Sequence, residues 1–536
     1  MAHRVTAGEW RWVLLTSFAV LLFASLPTLY AWRLADAEHV FNGFCYNNED
    51  GNSYIGKMQL GAHGEWLFRL FYTAEDHQPA MAVPVYILLG KLAAGTGLSL
   101  VLTYHLARVA FGLVLLLTIY TFIARFTPEV TTRRLAWALT AIGSGTGWLL
   151  TLLGLSNWLG AMPLDFWVPE AFVFLVLYSL PHLALAETLL LWSLIWMLDS
   201  FEQKRFGPTW KAGLAAAGMA LIVPFYAGVL AAALGAFLLA LSIRIRRIPW
   251  FMVGQTALVG AFTAPIVAYN AWVFTANPAF RQWGAQNTIL SPHPLHYLLG
   301  YLPLLIPAVP GAILAFRERD SRWLLPLAWL LVVPLLLYLP FNLQRRMIAG
   351  VQIPLALLAA RGLLWWVQGR TRTWRIDVAA WVALAALSNV LLVTGSLIEV
   401  SRQAPPIFRP AAEIAAMDWL GRQAEPDDTV LSAFETGNLI PARTGIRVFI
   451  GHGPETLYFD EKQEAVDRFF GAATDDAWRQ ELLAEYGIVY LFYGPDERAL
   501  GDWNPTGAPY LAPVYDQQGY TIYQVKKQSP GEVFRP

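Results

Sequence analysis

From Trp12 to Trp32 the chain runs without a charged residue, and about 20 mostly apolar residues are what an α-helix needs to cross a hydrocarbon layer about 30 Å thick. Ten further stretches of this kind follow, at approximately 101–124, 135–155, 171–198, 211–226, 227–243, 250–275, 297–316, 323–341, 348–367 and 377–398. So many apolar runs do not belong to an ordinary soluble fold. Composition agrees, with 56% of the 536 residues hydrophobic and only 14% charged, where soluble domains carry about a quarter. The first run follows Arg4 and Arg11, is longer than a signal-peptide core and lacks a small-residue cleavage site, so it reads as a retained span. The expectation is a mostly α, polytopic bundle of about 11 spans.

Orientation follows from the basic residues between the runs. Arg125, Arg133, Arg134, Lys204, Arg205, Lys211, Arg244, Arg246, Arg247, Arg317, Arg319, Arg322, Arg370, Arg372 and Arg375 collect in alternate loops. With Arg4 and Arg11 they make about 17 basic residues on one side against about 6 on the other, which places the N-terminus in the cytoplasm. The apolar segment Met81 to Leu98 would invert this bias if it spanned. It contains Lys91 and Ala93-Ala94-Gly95-Thr96-Gly97, and it is expected to lie along the outer face instead. Pro224 and Gly228 leave a tight turn or a kink open between 211–226 and 227–243.

Lys+Arg and Asp+Glu balance at 38 each, so nothing recruits nucleic acid. The single cysteine, Cys45, excludes an internal disulfide and reads as a buried thiol. Two domains are expected: a transmembrane part over 1–398, with 33–100 as its first outside loop and interfacial helices, and an extracytoplasmic α/β domain over 399–536. In the latter, helices are predicted near 411–423, 461–470 and 477–486, and strands near 429–434, 447–450, 488–493 and 520–525.

The loop 33–80 holds Asp36, Glu38, Glu49, Asp50, Glu65, Glu75 and Asp76, and a loop of this length has a task beyond linking two helices. Most of these acids read as solvated. Glu49-Asp50 differs, because Asn47-Asn48-Glu49-Asp50-Gly51-Asn52-Ser53-Tyr54 is a turn-forming polar cluster able to present a carboxylate. Arg345-Arg346 stands at the outer end of a span, where the basic-residue bias would not put two arginines, and guanidinium pairs suit a phosphate. Glu170, in Pro169-Glu170-Ala171, and His182, after Pro181, form a second outside-facing set, with Glu187 one turn further on. His77 beside Asp76 could bind a divalent ion, but no His-x-x-x-His or Asp-x-Asp spacing makes a tight site, and no metal or cofactor is expected. Gly451-His452-Gly453-Pro454-Glu455-Thr456 reads as a turn rather than a phosphate cradle.

Asp50-x-x-x-Tyr54, then Gly64-Glu65-Trp66, then Gln78-Pro79-Ala80 opening an apolar helix, resembles the first outside loop of GT-C fold glycosyltransferases. The protein O-mannosyltransferases and the bacterial lipid A aminoarabinose transferases are the nearest comparison. Pro354 to Gly362, with Arg361, looks like their late arginine-containing helix. Here Glu49 precedes the Asp, and Gln78 stands where the family has a basic residue before proline. The resemblance implies an inverting displacement in the cytoplasmic membrane, in which an acceptor hydroxyl attacks the anomeric carbon of a polyprenyl-phosphate-linked sugar, a hexose or pentose. Asp50 is then the base, Glu49 its neighbour, Arg345 and Arg346 the donor phosphate ligands, and Tyr54, Gln78, Glu170 and His182 substrate-binding candidates. The acceptor is a lipid, glycan or protein, and membrane lipid is the surrounding partner. The rival reading is a transporter or lipid flippase, which also carries intramembrane charges.

Overall fold

The computed structural model describes residues 4–368 and 373–526, so Arg370 and Arg372 lie outside the described residues. Along the chain the helices are α1 (Ala7–Leu34), α2 (Asn48–Ala62), α3 (Pro84–Thr96), α4 (Leu100–Ile123), α5 (Val130–Ile142), α6 (Gly147–Leu152), α7 (Val173–Ser179), α8 (Pro181–Gln203), α9 (Phe206–Ile222), α10 (Tyr226–Ile245) and α11 (Trp250–Ala276). There follow α12 (Pro278–Gln286), α13 (Pro294–Gly300), α14 (Leu302–Arg317), α15 (Leu324–Leu336), α16 (Gln352–Trp366), α17 (Trp374–Ala385) and α18 (Leu387–Ser401).

Every expected span carries helix, but the helices are of unequal length. Among the described residues five are long and apolar enough to cross a membrane by themselves: α1, α4, α8, α10 and α11. The number rises to seven if α13 with α14, bent by 81°, and α17 with α18, bent by 47°, each count as one span. The breaks have local causes. Leu180, at φ −120° and ψ 92°, separates α7 from α8 because the residue before Pro181 is pushed out of the helical region. The run 135–155 breaks after Gly143, where the buried Asp165 carboxylate accepts from the backbone N–H groups of Gly145 (2.9 Å) and Gly147 (3.1 Å). Val223 to Phe225 form a tight turn, so Pro224 ends one helix and leads into the next.

The chain divides into two compact units. The first takes residues 1–29, 104–272 and 288–398. Its helices α14 and α16 pack backbone against backbone: a Cβ on Gly311 would strike the Leu358 carbonyl and one on Gly362 the Pro307 carbonyl, so small residues set this approach. One buried charge inside this unit is closely matched. Glu9 pairs with Arg133 at 2.8 Å, both side chains nearly inaccessible, and also accepts from the Tyr120 hydroxyl at 2.7 Å.

The second unit takes residues 30–103, 273–287 and 399–536. A two-stranded antiparallel ribbon joins β1 (His39–Phe41) to β2 (Phe408–Pro410). A five-stranded sheet is formed by β3 (Thr429–Leu431), β4 (Arg447–Val448), β5 (Ile488–Tyr493), β6 (Leu511–Gln517) and β7 (Tyr520–Val525), in the order β4-β3-β5-β7-β6. The β4-β3-β5 part is parallel and the β5-β7-β6 part antiparallel. Helices α19 (Ala411–Gln423), α20 (Phe434–Thr444), α21 (Phe459–Phe470), α22 (Asp476–Glu485) and α23 (Pro495–Leu500) complete it, around a core that includes Leu431, Phe449, Phe469, Phe470 and Leu491. β6 and α20 escape sequence reading for physical reasons. β6 is an exposed edge strand whose pairing slips next to Pro513, and α20 contains Gly437 and Pro441, so burial rather than propensity holds it helical.

In this unit α3 is 13 residues long, roughly 20 Å at 1.5 Å per residue, which is short of a bilayer crossing. It packs tightly on α2, where a Cβ on Gly61 would meet the Ile87 carbonyl and one on Gly90 the Met58 carbonyl.

Candidate functional site

Glu49 and Asp50 occupy the first turn of α2, which starts at Asn47 in the left-handed conformation (φ 52°). The segment that reads as a turn is therefore a helix N-terminus, whose free N–H groups and dipole favour carboxylates. Gly51 is required there: any Cβ would enter the ring of Phe44.

The Asp50 side chain is 42% exposed. One oxygen lies 3.1 Å from Nε2 of His452, and the other accepts from the Asn47 amide at 2.5 Å. A carboxylate oxygen can accept more than one hydrogen bond, so lone pairs remain for the solvent side. Glu49 accepts from the backbone N–H of Gly453 at 2.7 Å, and its Oε1 lies 3.9 Å from Nδ1 of His452.

His452 belongs to the glycine-flanked segment read from sequence as a turn, which it is. Its N–H and that of Gly451 both donate to the Thr456 hydroxyl at 3.3 Å. The imidazole is 4% exposed and lies against Tyr72, with ring centroids 5.4 Å apart. The Glu455 N–H donates to Nδ1 at 3.3 Å, so in the neutral ring Nε2 carries the proton and donates it to Asp50. Beneath this layer Lys57 pairs with Glu455 at 2.5 Å, and Ser53 also donates to Glu455 at 2.9 Å. Asn438 ties the pieces together, bonding Asn52, the Gly451 carbonyl and the Glu49 carbonyl.

The electrostatics follow from this packing. Burial pushes the Asp50 carboxyl up, but the His452 hydrogen bond and charge, the Asn47 amide and Lys57 outweigh it and hold Asp50 well below the usual carboxylate range. Burial pushes His452 down, and the fields of Glu455, Asp50 and Glu49 reverse this, leaving it above its ordinary value. Glu455 is likewise held below the ordinary value, its burial outweighed by Lys57, His452 and Ser53.

The other loop residues have different surroundings. Tyr54 stacks on Tyr86 at 4.5 Å. Gln78 is exposed, and its carbonyl accepts from the Asn277 amide at 2.8 Å. His77 is engaged on both ring nitrogens, Nδ1 with the Glu75 carbonyl and Nε2 with the Leu70 N–H, each at 2.9 Å, while Asp76 pairs with Arg447. Both His77 ring nitrogens and the Asp76 carboxylate are thus engaged within the protein. Among the described residues no three His, Cys, Asp or Glu side chains converge as a metal group.

In the first unit, Glu170 and Arg346 sit in two short 3-10 turns, Pro169–Ala171 and Gln344–Ile348, and meet at 3.5 Å. Glu170 is buried, whereas 34% of the Arg346 side chain stays open. The Arg345 guanidinium stacks 3.9 Å above the Trp167 ring. Stacking on an indole fixes the guanidinium plane. Glu187 is buried, with Oε2 lacking a hydrogen-bond partner among the described residues, as does the Tyr226 hydroxyl. His182 is half-buried in the first turn of α8. Arg361 pairs with Glu318 and stacks on Trp323.

No family model and no curated protein matches the chain. Solved structures do. The arabinofuranosyltransferase AftD from Mycobacteria matches with a TM-score of 0.55 at 14% identity, over 97% of this chain and 40% of its own, so this chain spans less than half the length of that protein. The archaeal oligosaccharyltransferase AglB from Archaeoglobus fulgidus, solved with an inhibitory peptide and a dolichol-phosphate, matches with a TM-score of 0.51 at 12% identity, over 98% of this chain and 75% of its own. ArnT from Cupriavidus metallidurans, bound to undecaprenyl phosphate, gives 0.49 at 13% identity, over 95% and 98%. At such identities the likeness is one of fold, and the fold is that of the GT-C glycosyltransferases.

Proposed function

We propose that this chain is an inverting, polyprenyl-phosphate-dependent glycosyltransferase, moving a hexose or pentose to an acceptor hydroxyl at the outer face of the cytoplasmic membrane. Asp50 carries the reading: a half-exposed carboxylate, held ionised on the first turn of a helix, in the loop that resembles the first outside loop of GT-C enzymes. The fold and the dolichol-phosphate in the archaeal neighbour support a lipid-phosphate donor.

The bond from the acceptor oxygen to the anomeric carbon forms as the bond from that carbon to the phosphate oxygen breaks. Its electron pair leaves with the polyprenyl phosphate. The hydroxyl proton passes to Asp50. A carboxylate this acidic is a weak base, so it takes the proton late, once the new C–O bond has made the oxygen acidic. Arg345 and Arg346 receive the charge gathering on the departing phosphate, and Glu170 holds Arg346 in place before the donor arrives. The acceptor is a lipid, glycan or protein.

The test uses membranes containing the protein, a radiolabelled polyprenyl-phosphate sugar and an acceptor extract. Label should move from the lipid to the acceptor. Label that merely changes leaflet while staying on the lipid would overturn the reading in favour of a flippase. Arg346→Ala is expected to raise the donor KM about 10- to 100-fold, the usual value of a hydrogen bond to a charged group. An unchanged donor dependence would remove Arg346 from the site.

A further inference from the structure

We infer that His452 is the positioning residue for Asp50, donating its Nε2 proton so that the carboxylate stays oriented and ionised toward the acceptor hydroxyl. The inference rests on the glycosyl-transfer reading and adds to it a residue from a segment whose local sequence announces only a turn. The geometry is one-sided in a useful way. Nδ1 faces the Glu455 N–H at 3.3 Å, which selects the tautomer with the proton on Nε2, and Nε2 faces Asp50 at 3.1 Å.

The ring has little freedom to do anything else. Thr456 ties down the backbone on both sides of the peptide entering His452, and Tyr72 covers the ring. Gly451 permits the approach: a Cβ there would run into the backbone of Gly437 and Asn438. What distinguishes this ring is its partner: Nε2 faces a carboxylate whose side chain is 42% exposed, and Asp50 is the side chain that gains from the arrangement. Orientation and charge are also the two properties a weak carboxylate base depends on.

The charged and titratable groups around the pair are Glu49, Lys57 and Glu455, with Tyr72 against the ring and Glu435 within the field of Glu49. Burial disfavours the imidazolium, but the surrounding anions win and raise His452 above 6.5. Its stabilising effect is therefore complete below 6.5 and is lost as pH rises through the raised folded value.

The experiment compares wild type, His452→Phe and His452→Gln in detergent or membranes, reading transfer against pH and thermal melting against pH. Glutamine can donate from the place of Nε2 but cannot charge. In His452→Phe the acid limb of kcat should move up by about one to two pH units as Asp50 returns toward the ordinary carboxylate range. His452→Gln should recover most of that shift while donor KM stays near wild type in both. An acid limb that stays put in His452→Phe, or one that moves equally in both variants, would overturn the positioning role. Melting separates this from the parent reading. The slope of stability between pH 6.5 and the raised value should flatten in His452→Gln and in Asp50→Asn. If wild type transfers no sugar yet this coupling is present, the glycosyl-transfer reading fails and the Asp50–His452 contact does not. If neither substitution alters the slope, the contact itself is refuted.

Discussion

Asp50→Asn is expected to lower the turnover of sugar transfer by about 10²–10⁴-fold, the range over which a positioned general base contributes. The amide has the size and planarity of the carboxylate, so the fold of α2 should persist and donor KM should change little. What disappears is the ability to take a proton. The amide oxygen can still accept from Nε2 of His452, but its nitrogen would then face the Asn47 amide, donor against donor, at the position where 2.5 Å now separates Asn47 from the carboxylate. Single-turnover transfer with saturating donor reads the effect directly. A variant that keeps the wild-type rate would end the assignment of Asp50 as base. Glu49→Gln is the informative companion: Glu49 accepts the Gly453 N–H, a bond glutamine can still accept, so its loss should be several-fold smaller. In wild type the acid limb should lie below the usual carboxylate range, because His452, Asn47 and Lys57 keep Asp50 ionised, and Asp50 protonation should not limit the rate near neutral pH.

Lys57→Met should destabilise the second unit by about 3–5 kcal/mol, as when one partner of a buried ion pair is removed and the other is left charged. The Lys57 and Glu455 side chains are 4% and 6% exposed, 2.5 Å apart, with Ser53 as the only other side chain donating to that carboxylate among the described residues. Without the ammonium, burial would push Glu455 up toward neutrality, and the backbone N–H of Glu455 would lose its fixed place under the His452 ring. Melting of the purified protein is the first measurement and transfer by the surviving folded fraction the second. Both should fall. Lys57→Met combined with Glu455→Leu should regain much of the stability but not the activity, since replacing both ions by apolar groups removes the uncompensated charge. If the single substitution melts like wild type, the pair is not buried as described.

These two expectations rest on different kinds of legibility. Glu49, Asp50 and the arginine pair stand out in the sequence because charge is scarce in so apolar a chain and its position is informative. Asp165, which pins the break after α5, and Pro181, which starts α8, show why apolar runs alone overstate continuity: hydropathy averages over a window, whereas one buried carboxylate or one proline acts at a single peptide. In the sheet, β5 and β7 are readable from their β-branched and aromatic runs, while β6 is not, because an exposed edge strand needs no apolar alternation.

By itself the sequence determined the membrane class, the helical character of each apolar run, the small α/β region after the last span and the carboxylates of the first loop. All of these are local properties, set by composition and period within a few turns of chain. Only the tertiary structure decided that Asp50 meets His452, 402 positions away, and that Lys57 meets Glu455, 398 positions away. No local pattern encodes such pairs. A histidine between two glycines has the same turn chemistry whether its ring faces water or a carboxylate, and it becomes a partner for Asp50 only when packing of residues 30–103 with 399–536 closes that long loop of chain.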